Sequence, residues 1–103
     1  MAQMIVIYKT PVDKNAFDKH YFEVHIPLAK KLPGLKKYEV SKSPLISITG
    51  DKETYLIGAL HFESLEAIKN AFASEEGRAC AADRKILAPD DKVQMYLFDT
   101  IEV

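Results

Sequence analysis

Residues 3–9, QMIVIYK, are mostly β-branched, aromatic or otherwise apolar and run into Thr10-Pro11, which predicts a strand closed by a turn. Asp13 follows as an N-cap, with Val12 and Phe17 placed across it as a hydrophobic staple. From there Phe17, Tyr21, Val24, Leu28 and Leu32 recur at three- and four-residue steps, the spacing of an amphipathic helix over 13–32. Pro27 stands inside that pattern. It has no N–H to donate and its ring clashes with the carbonyl four residues back, that of Glu23, so a kink or division is expected around residues 24–27. Pro33-Gly34 ends the helix. LKKYEVSK (35–42) reads as a more polar strand, and the turn signal TGD (49–51) precedes a third strand, TYLIGALHF (54–62). Ser64 caps a short helix carrying Leu65, Ile68 and Phe72. Ser74, followed by Glu75 and Glu76, caps another through about Leu87. After the turn APDDK (88–92), VQMYLFDTIEV (93–103) is a long final strand.

The elements follow the order β-α-β-β-α-β, with the second helical unit in two pieces. That order defines an α+β, ferredoxin-like fold in a single domain over 1–103: a four-stranded antiparallel sheet with its helices on one face. The other face of such a sheet should be polar, so each strand should alternate. Three do not. Met4, Val6 and Tyr8 oppose Ile5 and Ile7; Leu56, Leu60 and Phe62 oppose Tyr55, Ile57 and Ala59; Val93, Met95, Leu97 and Ile101 oppose Tyr96 and Phe98. One helical layer would leave an apolar sheet face bare, so a homodimer through sheet-on-sheet packing is expected. The second strand, with Lys36, Lys37, Glu39 and Lys42, suits an exposed edge.

Charge and composition narrow the partners. Fourteen Lys and Arg stand against 15 Asp and Glu, so no basic surplus points to nucleic acid. Lys30, Lys31, Lys36 and Lys37 read as a solvated helix end. No long apolar run suggests a membrane, and with no signal peptide visible the chain is expected to be soluble and cytoplasmic. Cys80, the one cysteine, lies between alanines and reads as a small buried apolar residue. Zinc-type spacing, a phosphate-binding glycine loop and a Ser–His–acid pattern are all missing, so neither a metal nor any other cofactor is expected.

FDKHYFEVHIPLAKKLPGLKKYEVS (17–41), the Tyr8-Lys9 that closes the first strand, and Asp83 resemble the EthD family, named for a cluster that degrades ethyl tert-butyl ether. The resemblance covers nearly the whole chain and is strongest at His25, Pro27, Leu28, Leu32, Pro33 and Gly34. It implies a ferredoxin-like protomer whose sheet packs on a partner's sheet, forming a dimeric α/β barrel. Superfamily relatives include cofactor-free quinone-forming monooxygenases, muconolactone isomerases, polyketide cyclases and haem-degrading enzymes. For EthD proteins themselves a role beside an oxygenase system is the usual supposition. The chain has no tryptophan, which sets it apart from haem-degrading relatives that use one at the cofactor face.

At 100° per residue, Val24, Phe17, Leu28, Tyr21 and Leu32 span an arc of about 80° facing the core, with His25 about 20° beyond Leu32. His20 falls on the other margin, about 140° from His25, a poor ligand pair for one metal. Two readings of His25 stand open: a core histidine with satisfied hydrogen bonds, or an acid–base group beside a cavity that Pro27 opens. On the second reading His25 is the proton donor or acceptor and Tyr21, one turn earlier, orients the substrate. Tyr8, Tyr38, His61, Tyr96 and Phe98 are candidates to bind that substrate, with Tyr55 beside them; each is equally an aromatic or polar filler of a small structure. Asp83 matches a position of the family pattern and is equally read as a helix-surface or capping residue. The function this supports is an enzyme or oxygenase accessory acting on a small aromatic or other apolar oxygenated molecule by isomerisation, cyclisation or cofactor-free oxygenation. The alternative is a non-catalytic dimeric metabolite-binding or structural partner protein.

Overall fold

The chain's structure, a computed structural model, describes residues 1–103. Strands β1 (Ala2–Lys9), β2 (Lys37–Val40), β3 (Thr54–Phe62) and β4 (Val93–Asp99) form one antiparallel sheet in the order β2-β3-β1-β4. Helices α1 (Lys14–His20) and α2 (Ile26–Ala29) join β1 to β2; α3 (Leu65–Ala73) and α4 (Glu75–Leu87) join β3 to β4. This is the expected α+β ferredoxin-like arrangement. The caps read from the sequence are made: Asp13, Ser64 and Ser74 accept from the N–H groups of Ala16, Ala67 and Gly77, each at 3.0 Å. Gly34 sits at φ +80, where its missing Cβ makes the helix exit easy.

Some boundaries and contacts differ from expectation. Val12 is fully exposed, so no staple closes over Asp13. β4 stops at Asp99, and residues 100–103 run on outside the sheet, tied to Met1 by the Thr100 N–H and hydroxyl. The long helix does not break at Pro27. Its backbone stays helical through His25 and Ile26, but Tyr21–His25 form a π-helical turn in which the Ile26 N–H donates to the Tyr21 carbonyl, five residues back. One extra residue in the turn places Pro27 in the first turn of α2, where a missing N–H costs no intrahelical bond. The π-turn also rotates the helix wheel. Val24, expected in the core arc, is 43 % exposed, and His25 takes the inward position at 5 %.

The two sheet faces are distinct. Ala2, Met4, Val6 and Tyr8 of β1 pair across to Phe62, Leu60, Gly58 and Leu56 of β3, and this face meets Phe17, Tyr21 and Ile68 in one core. The outer face carries Ile5, Ile7, Ile57 and Ala59, with Tyr96 at 52 % and Phe98 at 40 % exposure. Helices α3 and α4 meet at Gly77. An added Cβ there would overlap the Ala71 carbonyl oxygen and the Phe72 Cα, so only glycine permits this approach.

Candidate functional site

A cavity of about 150 Å³ lies between the helices and the inner sheet face, with Met4, Val6, Leu60 and Phe72 among its apolar walls. Four of the expected site residues border it: Tyr8, Tyr21, His25 and Tyr38. Tyr8 comes from the buried row of β1, Tyr21 and His25 from the two ends of the π-turn, and Tyr38 from the inner side of β2. His61, Tyr96 and Phe98 do not join them. In the sheet register His61 and Phe98 flank Gln3 and Tyr96 pairs with Ile5, which puts all three on the outer face; His61 bonds Glu39 there at 3.0 Å. Tyr55 sits at the irregular β1–β3 pairing next to Lys9 and donates to Asp18 at 2.8 Å, away from the cavity walls.

The centre of the site is a carboxylate with two histidines. Asp83 is buried on α4, which removes the helix-surface reading, and its Oδ2 lies 2.9 Å from His25 Nδ1. The carboxylate can only accept, so Nδ1 carries the proton and donates it, which leaves Nε2 as the lone-pair nitrogen of the neutral ring. Nε2 has no partner within the protein, and no sealed side-chain nitrogen or oxygen lacks one. Nε2 is therefore not sealed off, and His25 borders the cavity. Burial holds His25 below the ordinary imidazole range; Asp83 pulls it up without overcoming burial, while His20 and Arg84 push it further down. The ring is neutral near pH 7, the state a proton acceptor needs. His20 binds the same carboxylate at 2.9 and 3.1 Å. On an α-helix residues five apart diverge; on the π-turn i and i+5 come onto one side, which lets both rings reach Asp83.

The tyrosines form a second cluster. The hydroxyls of Tyr21 and Tyr38 lie 2.5 Å apart, and the Tyr21 ring stacks on His25 with centroids 5.5 Å apart. Burial raises all three cavity phenols: Tyr38 to about 12, and Tyr8 and Tyr21 higher still. They are hydrogen-bond donors at neutral pH, not bases. Gly58 makes room for this pair, since a Cβ there would stand 3.2 Å from Tyr21 Oη. Arg84 borders the cavity but spends its guanidinium on the Ala88 carbonyl at 2.8 Å and on Asp90 at 2.5 Å. Cys80 is buried, its thiol pushed up to about 11 by burial, which makes it a poor nucleophile. No group of three or more His, Cys, Asp or Glu side chains is arranged to hold a metal ion.

The fold and this site define a class: small ferredoxin-like α+β proteins with an apolar cavity between helices and sheet and a carboxylate-braced histidine at its wall. Residues 9–89 match the family model described as the EthD domain. The chain is 37 % identical over 84 residues to an uncharacterized 11.0 kDa protein from the thcB-thcC intergenic region of Rhodococcus erythropolis, covering 81 % of this chain and 80 % of that one. The crystal structure of an EthD family protein from Bacillus halodurans superposes with a TM-score of 0.88 at 31 % identity, over 98 % of this chain and 99 % of that one. The protein belongs to the EthD family. A cofactor-independent oxygenase from Streptomyces nogalater shares the fold at a TM-score of 0.67 and 11 % identity, covering 99 % and 94 % of the two chains.

Proposed function

We propose that the protein binds a small aromatic or other apolar oxygenated molecule in the inner cavity and exchanges a proton with it through His25. The observation that carries this reading is the split role of the imidazole: Nδ1 is committed to Asp83 at 2.9 Å while Nε2 has no protein partner at the cavity wall. The cavity volume, about 150 Å³, suits a single ring, since a cavity of that size accepts benzene. Tyr21 and Tyr38 share one proton between their oxygens and keep a second to donate to an oxygen of the ligand. A lone-pair nitrogen beside a phenolic donor suits isomerisation, cyclisation or cofactor-free oxygenation of an acidic phenol, whether the protein turns the substrate over itself or serves an oxygenase in a catabolic route. Sharing a fold with a cofactor-independent oxygenase makes the last of these a natural member of the set.

The working form is a homodimer in which the outer sheet faces pack together, covering Ile5, Ile57, Tyr96 and Phe98. The bare outer face supports it, with Tyr96 and Phe98 of β4 exposed beside Ile5 of β1. Light scattering should give about twice 11.6 kDa. For the ligand, a panel of monocyclic phenols is titrated into ¹⁵N-labelled protein. Saturable shifts at Tyr21, His25 and Gly58 are expected; shifts confined to the outer face, or none, contradict the proposal.

A further inference from the structure

His20 takes no part in the proton exchange just described, yet it is bonded to the carboxylate that braces His25. Its Nε2 lies 2.9 Å from Oδ1 and 3.1 Å from Oδ2 of Asp83, and His25 Nδ1 lies 2.9 Å from the same Oδ2. The two rings open onto different places. His25 borders the inner cavity, whereas the His20 side chain is 30 % exposed and borders a second, outer groove of about 390 Å³ between α1 and the end of α4. One buried carboxylate therefore joins an imidazole facing a cavity to an imidazole facing water.

A carboxylate between two imidazoles balances one positive charge well and two badly, because a second cation in a poorly solvated cluster is repelled by the first. We propose that His20, Asp83 and His25 form one charge-balanced unit, in which His20 releases a proton to solvent when His25 accepts one from the bound molecule. In this cycle the unit begins with its one spare proton on His20 and with the His25 Nε2 lone pair free. The substrate's proton moves to His25 Nε2, and the His20 proton leaves from Nδ1 into the outer groove. Both N–H groups that face Asp83 stay where they are, no proton crosses the carboxylate, and the charge of the unit is unchanged. When His25 returns its proton to the product, His20 takes one back from water. His20 is thus a positioning residue that acts through Asp83 and never touches the ligand. The inference rests on the reading of His25 as a proton acceptor.

The other charged groups around the unit are Arg84 and Lys85 of α4, Lys9 of β1, Asp13 at the cap of α1, and Lys92 before β4.

The test is side-chain ¹⁵N NMR of the ligand-free protein from about pH 4 to 9, the range in which imidazoles titrate. In the wild type, the His25 nitrogens should move in two steps, one of them coinciding with the titration of His20. His20→Gln keeps an amide donor for Asp83 but no charge, and should raise the His25 midpoint by about one pH unit. His20→Arg fixes a positive charge there and should leave the His25 midpoint close to its wild-type position. A single-step His25 curve in the wild type, or a His25 midpoint that folded His20→Gln leaves in place, overturns the inference. No ligand is present in this experiment, so failure to bind phenols and failure of the coupling are separate results.

Discussion

Replacing Gly77 with alanine tests how the second helical unit holds the site. The new Cβ would overlap the Ala71 carbonyl oxygen and the Phe72 Cα, and would stand 2.9 Å from the Ala71 carbonyl carbon. All three are backbone atoms, so no rotamer change relieves the overlap and α3 must move away from α4. Overpacking of this kind costs about 1–3 kcal/mol, and the rigid obstacle argues for the upper end. Alanine returns about 1 kcal/mol over glycine inside a helix. The net loss is then about 2 kcal/mol, a fall in Tm of roughly 10 °C for a domain of this size. The displaced Ala71 carbonyl also accepts the Ser74 hydroxyl at 2.5 Å and the Ser74 N–H at 3.3 Å, so the corner loses its capping together with its packing. Because α4 carries Asp83 and α3 carries Phe72 of the cavity wall, the damage should reach His25. Thermal unfolding followed by circular dichroism, with the His25 ¹⁵N signals as local probe, measures both effects. An unchanged or raised Tm refutes the reasoning.

Two further predictions follow from the buried groups. Burial holds the folded-state His25 below the unfolded value of about 6.5, so its contribution to stability is complete above that pH and is lost as pH falls through the lower folded-state value. Urea midpoints at pH 7.5 and 5.5 should therefore fall less in His25→Gln than in the wild type; an equal fall in both contradicts the assignment. Tyr21→Phe removes one oxygen of the 2.5 Å phenol pair and should cost about 1 kcal/mol, lowering Tm by about 4–8 °C, and an unchanged Tm would show that the pair contributes nothing to stability.

The strands, their two-faced character and the three N-caps were legible because each depends on local chemistry: β-branched runs, alternation, and a short polar side chain before a helix. The His25 neighbourhood was only partly legible, for a geometric reason. A wheel drawn at 100° per residue put Val24 inward and parted His20 from His25 by about 140°. The π-turn cancels that angle, and a proline four residues after Glu23 is compatible with a kink, a break or a π-turn alike. Asp83 lies 58 residues from His25, and nothing local to RACAADRK marks its carboxylate as buried. The signal that could have found it is composite: two histidines five apart beside a proline, and one acid on the facing side of a helix. Gly58 and Gly77 work by having no side chain, which becomes visible only once their neighbours are placed. For His61, Tyr96 and Phe98 the strand pattern separated the two faces without saying which one the helices cover.

The measurement that bears most directly on His25 as the acid–base group of a ligand cavity is a paired one on His25→Gln, which keeps a hydrogen-bonding side chain of similar reach but cannot exchange a proton near neutral pH. Tm by circular dichroism, mass by light scattering and affinity for the tightest-binding phenol of the panel are compared with wild type. The account predicts a dimer of unchanged mass, a Tm within a few degrees of wild type since ~1 kcal/mol shifts it by about 4 °C or more, and loss of phenol binding. A large fall in Tm with phenol affinity unchanged would contradict it and make His25 a core residue held by Asp83.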